Sequence, residues 1–411
     1  MGNASVNGQR LWASLMEMAR IGATPRGGNC RLALSDEDKA GREAFIAWAR
    51  DAGCTVSRDQ MGNIFIRREG SDPGAAPVMT GSHLDTQPTG GRFDGVYGVL
   101  AGLEVIRALN EAGRQTRRPI EVVVWTNEEG SRFQPAMIGS GVFAGAFSLE
   151  HAHGQRDAAG RSLGEELVRT GQLGERPCAP RPIRAYLEAH IEQGPVLEGE
   201  DQVIGVVTGI QGIKWFHCRL TGVNAHAGTT PMAVRHDPVL GFSRIVCGMH
   251  ELRPRFGEDM VTTVGMLSAQ PGSINVINEQ VCFSIDMRSP DQAALTEFAQ
   301  AVHQDAAAVA AELGLALEWE EIWDVPPTHF DGDVVGRVEL AAAAAELPHR
   351  PMVSGAGHDA KYLADVCPTA MIFIPCKDGL SHNEAESVLP EHVAAGCDVL
   401  LRTMLSLADE A

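Results

Sequence analysis

The chain has 411 residues, 44% hydrophobic and 21% charged, and a formal net charge of −19. That length favours two domains over a single core, and the balance is that of an ordinary globular protein. The acidic charge excludes nucleic acid and anionic membrane surfaces as partners, since both select basic patches.

The opening stretch, "MGNASVNGQRLWASLMEMARIG", lacks the apolar core of a signal peptide. Gly2 is not read as a myristoylation site, because Val6 stands where Ser or Thr is needed. "SDEDKAGREAFIAWARDAG" predicts a helix, with Ser35 as N-cap and Gly53 just past the end. "NIFIRRE" and "PVMTGSH" predict strands, the second running into Ser82 and His83. A glycine-rich loop leads to the helical run "GVYGVLAGLEVIRALNEAG", and then to "PIEVVVW", apolar enough for a strand covered on both faces. Strand, helix, strand at this spacing predicts a βαβ unit in a mainly parallel sheet.

From about Ile213 the style changes. In "VCFSIDMRS", Val281, Phe283, Ile285 and Met287 take one face and Cys282, Ser284, Asp286 and Arg288 the other. That is a sheet covered on one side only. Helical segments "DPVLGFSRIVCGMHEL" and "SPDQAALTEFAQAVHQDAAAVAAELG" lie between such strands, so a small α+β module is expected. After "DVPPTHF" the α/β style returns, with the Ala-rich helix "LAAAAAELP" and the strand "TAMIFIP". Nine Cys without a C-x-x-C pair indicate neither a disulfide framework nor a zinc ribbon. No apolar run is long enough to span a bilayer, so a cytoplasmic location is expected.

His, Asp and Glu recur where apolar strands stop. His83 and Asp85 follow "PVMTGS", Asp94 follows "QPTGGRF", Glu128 and Glu129 follow "VVVWTN", His190 and Glu192 lie in "YLEAHIEQG", and His382 follows "MIFIPCKDGLS". Singly, each has a plainer reading: a polar strand terminus for a histidine, a helix N-cap for Asp94, a solvated turn for the glutamate pair. Together they point to the crevice beyond the strands' carboxyl ends. Imidazoles and carboxylates from separate segments at one rim predict a dinuclear centre of Zn²⁺ or a similar ion.

Five stretches, "GSHLDTQPTGGRFDGVYGVLAGLEV", "TNEEGSRFQPAMIGSGVFAG", "EAHIEQGPVLE", "NAHAGTTPM" and "SGAGHDAKYLA", resemble the hydantoinase/carbamoylase family of dinuclear metal amidohydrolases. That family includes N-carbamoyl-L-amino-acid hydrolase, β-ureidopropionase and allantoate amidohydrolase. The resemblance implies an α/β fold: a mainly parallel-sheet metal-binding domain, about 1–212 and 326–411, with an inserted α+β lid and dimerisation domain, about 213–325. It implies that His83 and His190 hold one metal, Glu129 and His382 the other, and that Asp94 bridges them. Glu128 becomes the general base, and Asp85 the carboxylate that orients the His83 ring. His226 becomes an oxyanion donor, and Arg288 the grip on a substrate carboxylate, a task its planar fork suits better than Lys. Asn275, Gln193 and Gly357 complete the substrate pocket, whereas His358 and Asp359 are loop and helix-start residues. Asn278 departs from the family pattern, which often has Pro there.

Two divalent ions per subunit are implied, Zn²⁺ first, with Mn²⁺, Co²⁺ or Ni²⁺ as alternatives. The implied partner is a small ureido-carboxylate, and the implied assembly a homodimer whose lid closes to bring His226, Asn275 and Arg288 to the metals. The expected reaction is hydrolysis of the carbamoyl C–N bond of an N-carbamoyl-L-amino acid to amino acid, CO₂ and ammonia. Alternatives are allantoate or β-ureidopropionate hydrolysis, peptide or acyl hydrolysis, and a non-catalytic binding protein of the same fold. The last is disfavoured because Glu128 and every implied ligand are present.

Overall fold

The computed structural model describes residues 4–410, so Gly2 lies outside the described residues. The chain forms two compact units: one runs to Thr208 and resumes at His329, and the other is Gly209–Thr328.

The first unit is built on a nine-stranded sheet. From one edge its order is Thr55–Arg58, Ile64–Arg68, Ile120–Trp125, Val78–His83, Ala185–Ile191, Thr369–Ile374, Ile204–Ile210 and Thr328–His329, with His349–Ser354 also paired to 204–210. The central pairs, 78–83 with 120–125 and 185–191, and 185–191 with 369–374, are parallel. Antiparallel pairs flank them at 55–58 with 64–68, 64–68 with 120–125, and 369–374 with 204–210. Val122, Val123 and Val124 are all fully buried, as expected of a strand covered on both faces. Each such side chain contributes roughly 1.5–3 kcal/mol by leaving water.

The expected helix forms over Asp36–Asp51, with the Ser35 side chain accepting from the Asp38 N–H. Asp36, Glu37 and Asp38 in its first turn meet the positive end of the helix dipole. A helix not among the expected elements, Gly8–Met18, precedes it and buries Leu11, Leu15 and Met18. Val96–Glu111 is the buried helix behind the rim, and Pro390–Ala408 packs against the same core. Among the described residues no helix is long and apolar enough to cross a membrane.

One polar network of this unit carries a pH signature. Glu166, in the helix Leu163–Thr170, accepts from Arg169 at 2.8 Å and from Arg132 at 2.6 Å. Arg169 first, and Arg132 with it, overcome the effect of burial and hold the carboxyl down at about 2. A depressed folded-state pKa stabilises above the unfolded value near 4.5, and this stabilisation is lost as pH falls toward 2. Glu166→Gln is therefore expected to lower stability at pH 7 by roughly 1.5–3 kcal/mol, the usual worth of bonds to charged groups. Urea midpoints across pH should show the gap to wild type narrowing between about pH 5 and pH 2.

The second unit holds an antiparallel sheet ordered Leu267–Gln270, Gln280–Ser289, Gly212–Thr221, Ala316–Val325, with Val261–Thr263 also on 280–289. Val281, Phe283, Ile285 and Met287 are buried with Ile245, Met249, Leu295 and Phe298 of the helices Pro238–Leu252 and Gln292–Leu313. The polar partners in 280–289 stay half-buried, so the alternation read from "VCFSIDMRS" is the sheet's real facing.

Candidate metal centre

His83 ends the strand Val78–His83, and His190 stands one residue before the end of Ala185–Ile191. Parallel pairing sets His83 beside Trp125 and His190 beside Phe373, at the carboxyl rim of the sheet. Each ring is tethered through Nδ1 to a main-chain carbonyl, His83 to that of Asp85 at 2.8 Å and His190 to that of Ile191 at 2.9 Å. A carbonyl only accepts, so Nδ1 carries a proton, and in the neutral ring, the form that binds a metal, Nε2 is left with a lone pair; at His190 that nitrogen accepts the Gly95 N–H at 3.0 Å. Metal-ligating histidines are oriented in this way.

Asp94 stands where those lone pairs converge. Its Oδ1 is 3.5 Å from His83 Nε2 and 3.2 Å from His190 Nε2. Its Oδ2 is 3.5 Å from His382 Nε2, which in turn lies 3.3 Å from Glu129 Oε2. Two donor sets result, His83–Asp94–His190 and Asp94–Glu129–His382, each with ligating atoms within 4.8 Å of one another. Asp94 belongs to both. An imidazole nitrogen facing a carboxylate needs a proton or a metal ion between them, and buried His83 Nε2 has no hydrogen-bond partner of good geometry. Two histidines with a carboxylate, and one histidine with two, fit divalent ions.

The electrostatics agree. Without a metal the carboxylates draw a proton onto His83 instead: burial opposes that charge, yet Glu128, Asp94, Asp85 and Glu129 outweigh it and hold the imidazole well above its ordinary range, so a metal ion would bind by displacing that proton. Burial, with Asp94 adding to it, pushes Glu129 up to about 8. Burial also raises Glu128 well above the carboxylate range, reinforced by Asp359, Glu129 and Asp85. Carboxyls that hold their protons this tightly mark a site short of positive charge.

Adjacent glutamates reach one rim because the backbone turns at Asn127, whose φ is +58°. Asn tolerates this left-handed conformation, and its side chain closes the loop by donating to the Phe133 carbonyl at 2.8 Å. Glu128 Oε2 then lies 3.4 Å from His83 Nε2, while Glu129 faces His382. Asp85 holds the pair from below: its two carboxylate oxygens accept the N–H groups of Glu128 and Glu129, each at 3.3 Å. This corrects the expectation for Asp85. Its carbonyl, not its carboxylate, orients the His83 ring, because the carboxylate is turned to the glutamate backbone.

Gly95, with φ +67°, is the N-cap of the helix Val96–Glu111, so Asp94 is not the cap. A Cβ at Gly95 would sit 2.4 Å from the His83 ring, so only glycine fits there. Gln193 Nε2 donates to Asp94 Oδ2 at 2.7 Å, and the Ser381 hydroxyl does the same at 2.7 Å. Gln87 Nε2 donates to Glu129 Oε2 at 2.7 Å. Gln87 and Ser381 were missed from sequence, since neither is a ligand type and nothing in their spacing marks them.

His358 and Asp359 stand outside both donor sets. The His358 ring packs 4.5 Å from that of His190, and its Nε2 meets Ser354 Oγ at 3.1 Å. Glu192 also stays outside, accepting the N–H groups of Val196 and Leu197, each at 2.8 Å. Gly357 lies in the first unit, where an added Cβ would be 3.0 Å from Met137 Cε.

His226, Asn275 and Arg288 belong to the second unit. Short strands Ala225–His226 and Val276–Ile277 pair, which sets His226 opposite Val276 and next to Asn275. His226 Nδ1 accepts from the N–H groups of Gly228 and Thr229 at 3.0 and 3.2 Å. Arg288 is gripped by Asp286 through Nε at 3.0 Å and Nη2 at 2.9 Å. Asn278, the departure from the family pattern, uses its side-chain oxygen to accept the Gly272 N–H at 2.9 Å.

The sequence model of peptidase family M20/M25/M40 matches residues 79–406. The chain belongs to this family. Within it, the N-carbamoyl-L-amino-acid amidohydrolase of Rhizobium meliloti is 47% identical over 407 residues, 99% of this chain and 98% of the relative. The allantoate amidohydrolase of Escherichia coli is 35% identical over 402 residues, 97% and 98% of the two chains. A crystal structure of a hydantoinase/carbamoylase family amidase from Burkholderia multivorans superposes with a TM-score of 0.97 at 55% identity, covering 99% of each chain.

Proposed function

We propose that the protein is a metal-dependent amidohydrolase that cleaves the carbamoyl C–N bond of an N-carbamoyl-L-amino acid. The observation that carries this reading is Asp94, shared by two donor sets, with Glu128 placed against the first and belonging to neither. The names of the relatives at 47% and 40% identity support the substrate class.

His83, His190 and Asp94 would hold one ion, and Asp94, Glu129 and His382 the other. When bound, such ions polarise a carbonyl and make water a nucleophile near neutral pH. Glu128 takes a proton from the attacking water as the oxygen bonds to the carbamoyl carbon. It delivers that proton to the leaving nitrogen as the C–N bond breaks. The amino acid departs, and the carbamate released alongside it decomposes to CO₂ and ammonia.

His226 is assigned the developing oxyanion. With Nδ1 accepting two amide N–H groups, the neutral ring carries its proton on Nε2 and is a donor there. Arg288 is assigned the substrate carboxylate, with Asn275, Gln193 and Gly357 as further contacts. A homodimer, Zn²⁺ or Mn²⁺ as the resident ion and a cytoplasmic setting belong to the same proposal. Allantoate is the second substrate reading, favoured by the relative of that name.

The test is a panel of N-carbamoyl-α-amino acids, N-carbamoyl-β-alanine and allantoate, each with Mn²⁺ and with Zn²⁺. Turnover is expected to be fastest on an α-amino acid derivative, and Arg288→Lys to raise its KM by about tenfold, one lost bidentate bond. Selective turnover of allantoate, or of peptides, would overturn the assignment.

A further inference from the structure

The bridging role asks more of Asp94 than of any other residue, because each carboxylate oxygen must meet a different donor set. Its main chain stands at an awkward place. Phe93 and Asp94 lie in the loop before the N-cap Gly95 of the helix Val96–Glu111, so their buried N–H groups belong to no helix or sheet ladder and need another acceptor. Here the helix has Gly95 at its N-cap and no side-chain cap.

The partner comes from the other end of the chain. Glu386 Oε1 accepts the Phe93 N–H at 2.8 Å and the Asp94 N–H at 3.2 Å. The carboxyl is 1% exposed, and Oε2 has no hydrogen-bond partner. Room for it depends on Gly91, where a Cβ would overlap the carboxyl at 2.0–2.2 Å. The same segment delivers Ser381, which donates to Asp94 Oδ2, and the ligand His382. Residues 381–386 thus hold Asp94 at both its side chain and its main chain.

We infer that Glu386 is a positioning residue: by accepting the Phe93 and Asp94 N–H groups it fixes the bridging carboxylate between the two donor sets. This rests on the metal reading proposed above. Glu386 touches neither substrate nor ion in this account. It needs an acceptor oxygen at this reach rather than a negative charge.

The test compares full-length wild type, Glu386→Ala, Glu386→Asp and Glu386→Gln. Zn²⁺ and Mn²⁺ affinity is read by chelator competition, and amide exchange over residues 92–96 is read in metal-stripped protein. Glu386→Ala and Glu386→Asp are expected to bind metal about 10–100-fold more weakly, as loss of a group that orients a metal ligand does. Exchange at 92–96 should be faster by about tenfold or more, while the strand 78–83 keeps its protection. Glu386→Gln retains the acceptor and should stay within about threefold of wild type on both measures. Wild-type metal affinity in Glu386→Ala, or equal defects in Gln and Ala, would overturn the inference. If Glu386→Ala does not fold, the contrast between Asp and Gln decides by the same criteria. Wild type that binds no metal would overturn both readings, whereas wild type that binds metal but spares ureido substrates would overturn only the substrate assignment.

Discussion

Glu128→Gln is expected to keep its metal ions and lose about 10²–10⁴-fold in kcat, the usual worth of a positioned general base. The substitution conserves shape and removes only the ability to take a proton. Geometry should survive because the Glu128 N–H is held by Asp85, and the Glu128 carbonyl accepts the Met137 N–H at 2.7 Å. Glu128 belongs to neither donor set, so metal content should not fall. Ammonia release and elemental analysis on the same preparation check both halves. Turnover close to wild type would remove Glu128 from the chemistry, and loss of metal would reassign it as a ligand.

Asp94→Asn should be the more destructive change. A carboxylate that faces three histidines across 3.2–3.5 Å is replaced by a neutral amide, and both donor sets lose a member at once. Affinity for both ions is expected to fall by more than about 100-fold, beyond the cost of losing a group that only orients a ligand, and turnover to vanish. The wild type should melt higher with metal than without, by about 2.7 kcal/mol of added stability at 100 times Kd. Asp94→Asn should show no such rise. A variant that still binds two ions with wild-type affinity would refute the shared-carboxylate geometry.

The rim was legible because it rests on covalent order. Apolar strands such as "VVVW" announce themselves, and in a parallel sheet their carboxyl ends come to one side. Residues at or just past those ends, His83, Glu128 and Glu129, are therefore placed at one crevice by the sequence alone. Alternation in 280–289 was legible for the same reason, since period two reports facing directly.

What stayed hidden were side-chain pairings across long separations. Glu386 reaches Asp94 over 292 residues, and Glu129 meets Gln87 over 42. No spacing rule encodes such contacts. Asp85 shows the limit from the other side: it was picked out as a supporting residue, but which of its oxygens faces which neighbour is set by the left-handed turn at Asn127. The helix Gly8–Met18 carries Leu11, Leu15 and Met18 at helical spacing, so its signal was present although no element was expected there.

Under the proposed assignment, a carboxylate held in common would make the two ions thermodynamic partners. Whatever factor the first ion adds to or removes from the affinity for the second, the second must return to the first. An average of one ion per chain then describes a population, divided among empty, singly and doubly loaded molecules in proportions set by that factor. Activity should follow the doubly loaded fraction rather than total metal, and a titration that curves where stoichiometry is linear is the signature of Asp94 serving two sites at once.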